Sequence, residues 1–442
     1  MNITTCFVNR PLAAQVVWKS VRFRPRKVLP KEKGESSMRL SQLATSIPPS
    51  ATVKLNATAR LLKQQGEPVI HMGVGEPQNQ APEAAIQAGI EVLQKGYIKY
   101  APTPGLPGLR NAIVQYTEEV YGRPIAPDNV IVSVGAKHAL FNLLYALLDP
   151  GDEAIILAPY WVSYPEMVRM VRGRPVIVNP PPGEYLPTLE AIERAVTPAT
   201  RLIIVNNPNN PSGLTYPEEF IASLVDFCER RQIFYLSDDI YHQLVFDGQQ
   251  PPNVYQYTSR PVNDSYVLVI NGISKLFGMT GFRVGWVVAP KPIVDVLTTI
   301  QSQSTTCNPV VDQVAAEAAL REAKEDVVRL RTYLEENRNA VLVELAATPA
   351  IKTPKPGGAF YCFPDFSAFQ QDSVALSSFL LEKALVVTVP GKEFGLEGHL
   401  RLSFCGPREE MIEGVRRIRW ALDPATPPEI VIGNKTVVRD WL

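Results

Sequence analysis

The feature that most constrains this chain is a series of short apolar runs, rich in β-branched residues, each ending in a polar or glycine-bearing stretch. NVIVSV (129–134), EAIIL (153–157), RLIIV (201–205), IFYLS (233–237), YVLVI (266–270) and VGWVV (284–288) recur along the sequence. Helix-length segments such as 217–231 separate several of them. A strand with one wet face alternates apolar and polar residues, whereas an unbroken apolar strand is covered on both faces. The pattern therefore predicts an α/β fold, a mainly parallel sheet with helices on both sides. Beyond about residue 290 the text changes to long amphipathic helices (315–345) and short strands near 360–363 and 400–404. That reads as a second, α+β domain, and 442 residues are enough to build both.

Composition narrows the function. Lys+Arg and Asp+Glu balance at 44 each, which gives no support for a nucleic-acid or anionic-membrane surface. No stretch approaches the roughly 20 apolar residues of a membrane helix. Cys6, Cys228, Cys307, Cys362 and Cys405 are scattered, without a C-x-x-C pair or neighbouring histidines. No metal site is expected from them, and their spacing fits a reducing compartment. Residues 1–37 stand apart: Arg10, Lys19, Arg22, Arg24, Arg26 and Lys27 all precede the first acid, Glu32. They read as a disordered extension of a cytoplasmic protein. The alternative is a transit peptide for a plastid or other organelle, since such segments are Arg-rich and acid-poor.

In open α/β sheets ligands bind beyond the carboxyl ends of the strands. Those ends carry GAKHAL (135–140), APYWVSYP (158–165), NNPNNPSG (206–213), DDIY (238–241) and NGISK (271–275). Gly135-Ala136-Lys137 opens a helix, whose free N–H groups and positive dipole end attract an anion. Asp238 taken alone reads as a cap or turn residue. Its functional role is to pair with a protonated ring nitrogen and keep a heterocycle electron-withdrawing. Tyr241 and Asn210 can then donate to an oxygen on the same ring. Lys275 lies among Ile273, Leu276, Phe277 and Met279, where desolvation lowers its pKa and makes it a nucleophile toward aldehydes. Arg283 is within reach of a phosphate as a fork donor. Trp161 alone reads as core, Arg401 alone as a surface charge, and His138 and His242 as packing or surface residues.

Together, SKLFGMTGFRVG (274–285), NPNNPSG (207–213), SDDIY (237–241), PYWVSYP (159–165) and YAPTPGLPGLR (100–110) resemble the class I aminotransferases of fold type I. The aspartate and aspartate/prephenate branch is the nearest match, over about residues 40–419. The resemblance implies a large domain (76–305) built on a mostly parallel seven-stranded sheet and a small α+β domain (306–422). A segment 38–75 belongs with the small domain, and a tail, 423–442, has no assigned role. The implied cofactor is pyridoxal 5′-phosphate, held as a Schiff base on Lys275, which also moves the substrate proton. Asp238 would face the ring nitrogen, Tyr241 and Asn210 the ring oxygen, and Trp161 the ring face. Ala136, Lys137, Ser274 and Arg283 would hold the phosphate side. Tyr100 would reach the phosphate of a neighbouring subunit, which implies a homodimer with shared sites. Arg401 would grip the substrate α-carboxylate, and Gly75 would lie in a segment that closes over it.

Lys137 is read equally as a ligand for a substrate side-chain carboxylate and as a charge facing the phosphate or solvent. Thr52 resembles the same N-terminal segment in such enzymes. The implied reaction moves an amino group from aspartate or glutamate to a 2-oxo acid such as 2-oxoglutarate, with prephenate a further acceptor. The same motifs also suit an aromatic or kynurenine aminotransferase or a C–S lyase. A transcription regulator on this fold fits poorly, because 37 unpatterned residues do not make a winged helix. Ser212 stands where Thr is commoner and Asp239 where Glu is usual; neither position carries the chemistry.

Overall fold

The computed structural model describes residues 40–48 and 51–442, with the backbone alone for 51–56. The extension 1–37, with the choice between tail and transit peptide, lies outside the described residues, as does the side chain of Thr52.

A short strand β1 (Ile70–His71) precedes the large sheet. The sheet contains β2 (Val130–Val134), β3 (Glu153–Leu157), β4 (Arg174–Val178), β5 (Thr200–Asn206), β6 (Phe234–Asp238), β7 (Val267–Gly272) and β8 (Val284–Val288). Their spatial order is β2-β8-β7-β6-β5-β3-β4. Within it β8 runs antiparallel to both neighbours and the other pairs are parallel. This is the mostly parallel seven-stranded sheet that the resemblance implies. Every residue of β3, β7 and β8 is buried, as unbroken apolar strands require. Successive side chains point to opposite faces, so one core holds Val132, Ile155, Ile203, Tyr235 and Val269. The other holds Ile131, Ile156, Ile204, Leu236 and Ile270.

Two elements differ from expectation. Strand β4 was not foreseen: it lies at the sheet's edge, carries Pro175, and is only partly buried, so its apolar run is short and interrupted. The amphipathic helices expected over 315–345 are Val310–Glu322 and Lys324–Ala346, which start before that span and part at Ala323 with φ −102° and ψ 32°. The first packs on helix Glu83–Lys95 beside the large sheet, the second on helix Arg408–Leu422. The break lets the chain change direction between two cores that one straight helix could not serve.

Beyond it, β9 (Tyr361–Cys362), β10 (Val386–Val387), β11 (Val389–Pro390) and β12 (Leu400–Ser403) form the small sheets. The order β11-β12-β9 is antiparallel, while β10 pairs parallel with β1, Ile70 opposite Val386. The segment leading into the large domain is thus stitched to the small one, where Ile70, Met72, Phe360, Phe404 and Ile418 share a core. The last stretch of the sequence folds as an antiparallel hairpin of β13 (Glu429–Ile432) and β14 (Lys435–Val438). Among the described residues no helix is long and apolar enough to cross a membrane.

Candidate active site

The carboxyl ends of β2, β5, β6 and β7 open on one cleft of about 340 Å³, closed on the far side by Tyr361 and Arg401. Strand β7 ends at Gly272, and the turn Ile273–Leu276 that follows buries Ile273, Ser274 and Leu276. Lys275 is left half-buried on the cleft side, its Nζ donating to the carbonyl of Gly75 at 2.7 Å. Burial pushes this amine down to about 8; Glu76 opposes the shift, and Arg283 and Arg401 add to it. A substantial fraction of Lys275 is therefore uncharged near neutral pH, the form that attacks a carbonyl.

Asp238 is the last residue of β6 and is buried. The Tyr164 hydroxyl donates to its Oδ2 at 2.5 Å. Desolvation nevertheless pushes the carboxyl up to about 6, so the cleft holds an anion short of a cationic partner. Asn206, at the end of β5, fixes the floor: its Nδ2 donates to the Asp238 carbonyl at 2.8 Å and its Oδ1 accepts from the Asn210 amide at 2.8 Å.

Asn210 joins two site residues. Its Nδ2 donates to the Tyr241 hydroxyl at 3.4 Å, and its Oδ1 accepts from Arg401 Nη1 at 3.0 Å. The Tyr241 hydroxyl also lies 3.2 Å from that of Tyr361, and burial pushes its phenol up to about 12. Arg401 is 4% exposed. Its Nη2 donates to the Gly73 carbonyl at 3.0 Å, and its guanidinium lies 4.5 Å from the centre of the Tyr361 ring. Its Nε is buried with no partner. A buried arginine with a donor to spare is built to receive an anion in a planar fork.

The other end of the cleft is a cradle. Gly135 has φ +80°, and a Cβ there would come 2.4 Å from Arg283 Nη2. A Cβ on Gly285 would come 2.3 Å from the Ala136 amide nitrogen. Two glycines thus let β8 and the start of helix Ala136–Leu147 meet, with Arg283 at the junction. The amides of Ala136 and Lys137 lie in that helix's first turn, where N–H groups have no acceptor within the helix, and Ser274 lines the same end. Lys137 places its Nζ 4.7 Å over the Trp161 ring, and burial, then Arg283, lowers its pKa. Trp161 stands edge-on to Tyr164, ring centres 5.4 Å apart.

Of the residues singled out from sequence, Gly75, Ala136, Lys137, Trp161, Asn210, Asp238, Tyr241, Ser274, Lys275, Arg283 and Arg401 all line this cleft. Tyr100 does not: it is 88% exposed in the single chain. His242 is buried against Tyr116, Nε2 to hydroxyl 2.8 Å, and His138 accepts from the Val134 amide at 3.3 Å. Among the cleft residues not foreseen, three bring polar side chains: Tyr164, Asn206 and Tyr361. Tyr164 stands three residues after Trp161, a spacing that puts both on one side of a helical turn, so a signal existed. Asn206 was hidden among four asparagines, and Tyr361 sits in a strand with no motif. Among the described residues no three His, Cys, Asp or Glu side chains converge as metal ligands.

The arrangement presents an anion cradle at one end, an amine in the middle, an aromatic face, a lone carboxylate below and a second anion site across the cleft. With that geometry in view, comparison with known proteins is informative. A family model for aminotransferase class I and II matches residues 67–418. A probable aspartate/prephenate aminotransferase of Thermus aquaticus is 39% identical over 386 residues, 87% of this chain and 99% of that one. An aspartate aminotransferase of Geobacillus stearothermophilus is 36% identical over 387 residues, 86% of this chain and 98% of that one. The solved structure of the Thermus thermophilus aspartate aminotransferase with maleate matches with a TM-score of 0.81 at 38% identity, covering 86% of this chain and 99% of that one. The chain belongs to the class I and II aminotransferases.

Proposed function

We propose that this aminotransferase works with pyridoxal 5′-phosphate on Lys275, with aspartate as preferred amino donor and 2-oxoglutarate as acceptor, and with prephenate as a further acceptor. The observation that carries the reading is the Lys275 amine, held at 2.7 Å from the Gly75 carbonyl between the Gly135–Arg283 cradle and the Asp238 carboxyl. The residues present fit the cofactor. The cradle suits a dianionic phosphate, and Trp161 offers a ring face. Asp238 makes no ion pair among the described residues and would be free to face a ring nitrogen, and Tyr241 and Asn210, 3.4 Å apart, would be placed to face a ring oxygen.

When bound, pyridoxal phosphate supplies an aldehyde for the lysine and a ring that takes up the electron pair released from substrate Cα. The protein's part follows from its own groups. Lys275 would hold the group through its uncharged Nζ and, once free of it, would be placed to take the substrate Cα proton as general base. Asp238 would face the ring nitrogen and favour its protonated form, a pairing that would offset the desolvation that raises the Asp238 pKa. Arg401 binds the α-carboxylate with the donors that Asn210 and Gly73 leave free, and the orphaned Nε gains an acceptor. Lys137 faces the same cleft and suits a side-chain carboxylate. Residues Gly73 to Glu76 lie across the lysine and, on substrate binding, exclude water.

Tyr100, with Tyr97 and Ile98 beside it, forms an exposed apolar surface, which supports a homodimer in which Tyr100 completes the partner's phosphate site. We also propose a cytoplasmic location. A fluorescent fusion of residues 1–37 that entered an organelle would replace it.

Half-reaction spectra test the substrate reading. Aspartate and glutamate should convert the cofactor faster than arogenate or aromatic amino acids. A faster reaction with aromatic donors contradicts it, and sustained keto-acid release without an acceptor makes the enzyme a lyase.

A further inference from the structure

The last twenty residues lie outside the span matched by the aminotransferase family model, 67–418, yet they are built into the fold against the segment that leads to the site. The chain leaves helix Arg408–Leu422, forms the β13–β14 hairpin, and returns to lock onto the helix it left. Arg439 Nη1 donates to the carbonyls of Trp420 at 2.6 Å and Asp423 at 2.7 Å, and to Thr426 Oγ1 at 2.7 Å. The Trp441 ring stands edge-on to Trp420 at 5.3 Å and to Phe379 at 5.7 Å. Its indole N–H donates to the Ala421 carbonyl at 3.0 Å, and the Lys383 ammonium lies 5.4 Å over its face.

The turn of the hairpin rests on the segment that enters the cleft. Lys435 holds both carboxylate oxygens of Glu67, at 2.8 and 3.0 Å. Gly433, with φ +62°, sits against Pro68 so closely that a Cβ would come 2.9 Å from the ring Cγ. Below it, Arg417 Nη1 donates to the Pro68 carbonyl at 2.8 Å. From Pro68 the chain passes through β1 straight to the site. The Met72 carbonyl accepts from the Ser403 amide at 2.7 Å, the Gly73 carbonyl from Arg401 at 3.0 Å, and the Gly75 carbonyl from Lys275 at 2.7 Å. Pro68 and Gly73 are separated by no more than about 17 Å of extended chain.

We infer that the hairpin is a strap that fixes the register of residues 67–76, and that Gly433 and Trp441 are positioning residues for substrate capture. They act through Pro68 and the Gly73 carbonyl on Arg401, so the inference rests on reading Arg401 as the clamp for the substrate carboxylate. A single segment supplies acceptors to both Arg401 and Lys275. A shift of its upstream end reaches the Gly73 carbonyl, and with it Arg401, before the Gly75 carbonyl that holds Lys275. Without the strap that end relies on the two-residue β1–β10 ladder, on Val69 packed with Leu381 and Val387, and on Arg417.

The test compares full-length holoenzyme with Trp441→Ala, Gly433→Val and Lys435→Ala variants. Trp441→Ala and Gly433→Val should raise KM for amino donor and 2-oxo acceptor alike by about five- to tenfold, with kcat within about twofold, because Arg401 binds the carboxylate that both share. Lys435→Ala breaks an exposed pair and should change KM by less than about twofold. Amide hydrogen exchange in residues 69–76 should quicken by about tenfold in the first two variants, with β5 to β7 unchanged. A lower melting temperature with unchanged KM would overturn the inference, as would faster exchange at 69–76 without a change in KM, or exchange that quickens evenly across the chain. Should Trp441→Ala not fold, Gly433→Val carries the test. Should the parent enzyme transfer no amino group, the proposed function fails, and the exchange comparison, which needs no turnover, still decides the strap.

Discussion

Asp238 and Asp239 are neighbours, both buried, and both pushed up by desolvation, to about 6 and about 7. They serve different regions. Asp238 faces the cleft, where Tyr164 is its one side-chain hydroxyl donor. Asp239 lies on the other side of β6, beside a second cavity lined by Asn207, Tyr235 and Ser237. There it accepts hydroxyls from Ser237 at 2.5 Å and Tyr121 at 2.9 Å. The Tyr121 oxygen in turn accepts from Asn271 at 3.1 Å, and Asn271 contacts His242 at 3.1 Å. A raised pKa therefore marks desolvation and not function. What separates the two carboxyls is their setting: Asp239 accepts two hydroxyls of the protein, whereas Asp238 accepts one hydroxyl and a long bond from the Ile240 amide at 3.4 Å, and lines the cleft that holds Lys275.

The comparison sets the scale of the expected effects. Lys275→Ala removes nucleophile and base together, and kcat/KM for transamination should fall by about 10⁴-fold or more. Asp238→Asn should lower kcat by about 10²–10³-fold, the scale of losing one preorganised charge. It should also stabilise the cofactor-free protein. A carboxyl whose folded pKa is raised binds its proton more tightly in the native state, so stability falls as pH climbs from about 4 to about 6. Above that window the full cost is present. Removing the charge should recover up to about 3 kcal/mol at neutral pH, read as a higher melting temperature. Equal losses of activity in Asp238→Asn and Asp239→Asn would break the contrast.

Arg401→Lys keeps the charge but loses the fork, and KM for the amino donor should rise about 10- to 100-fold with a smaller change in kcat. The Lys275 amine, at about 8, gives a milder effect. Its uncharged fraction grows with pH, so cofactor-free protein should take up pyridoxal phosphate about tenfold faster at pH 9 than at pH 7, levelling above the pKa. A flat profile in stopped-flow absorbance would contradict the lowered value. The smallest effect belongs to Asp239→Asn, less than about threefold in kcat/KM, since that side chain touches structure alone.

Much of the site was legible because its chemistry sits where strands end. Asp238, Asn210, Lys275 and the Gly135 turn follow apolar runs directly, and a parallel sheet brings such ends together whatever lies between. Strand β4 was not legible because an edge strand with Pro175 lacks the unbroken pattern. The helices over 315–345 were legible from their period, but not the point where they part, since alanine at 323 favours helix and only the meeting of two cores demands the bend there. Tyr361 reaches the cleft from a two-residue strand of the small domain, a placement fixed by tertiary packing. The hairpin is the clearest case. Phe379, Trp420 and Glu67, which hold it, are distant in sequence, and no local period announces a contact between residues 67 and 435.

The central claim is that one lysine at the end of β7 carries the cofactor. Holoenzyme treated with borohydride, digested and mapped by mass spectrometry tests it most directly. The account predicts a phosphopyridoxyl group on the peptide containing Lys275 and none elsewhere, with the label absent from Lys275→Ala. A label on another lysine at full activity, or turnover by Lys275→Ala equal to the parent, would contradict it.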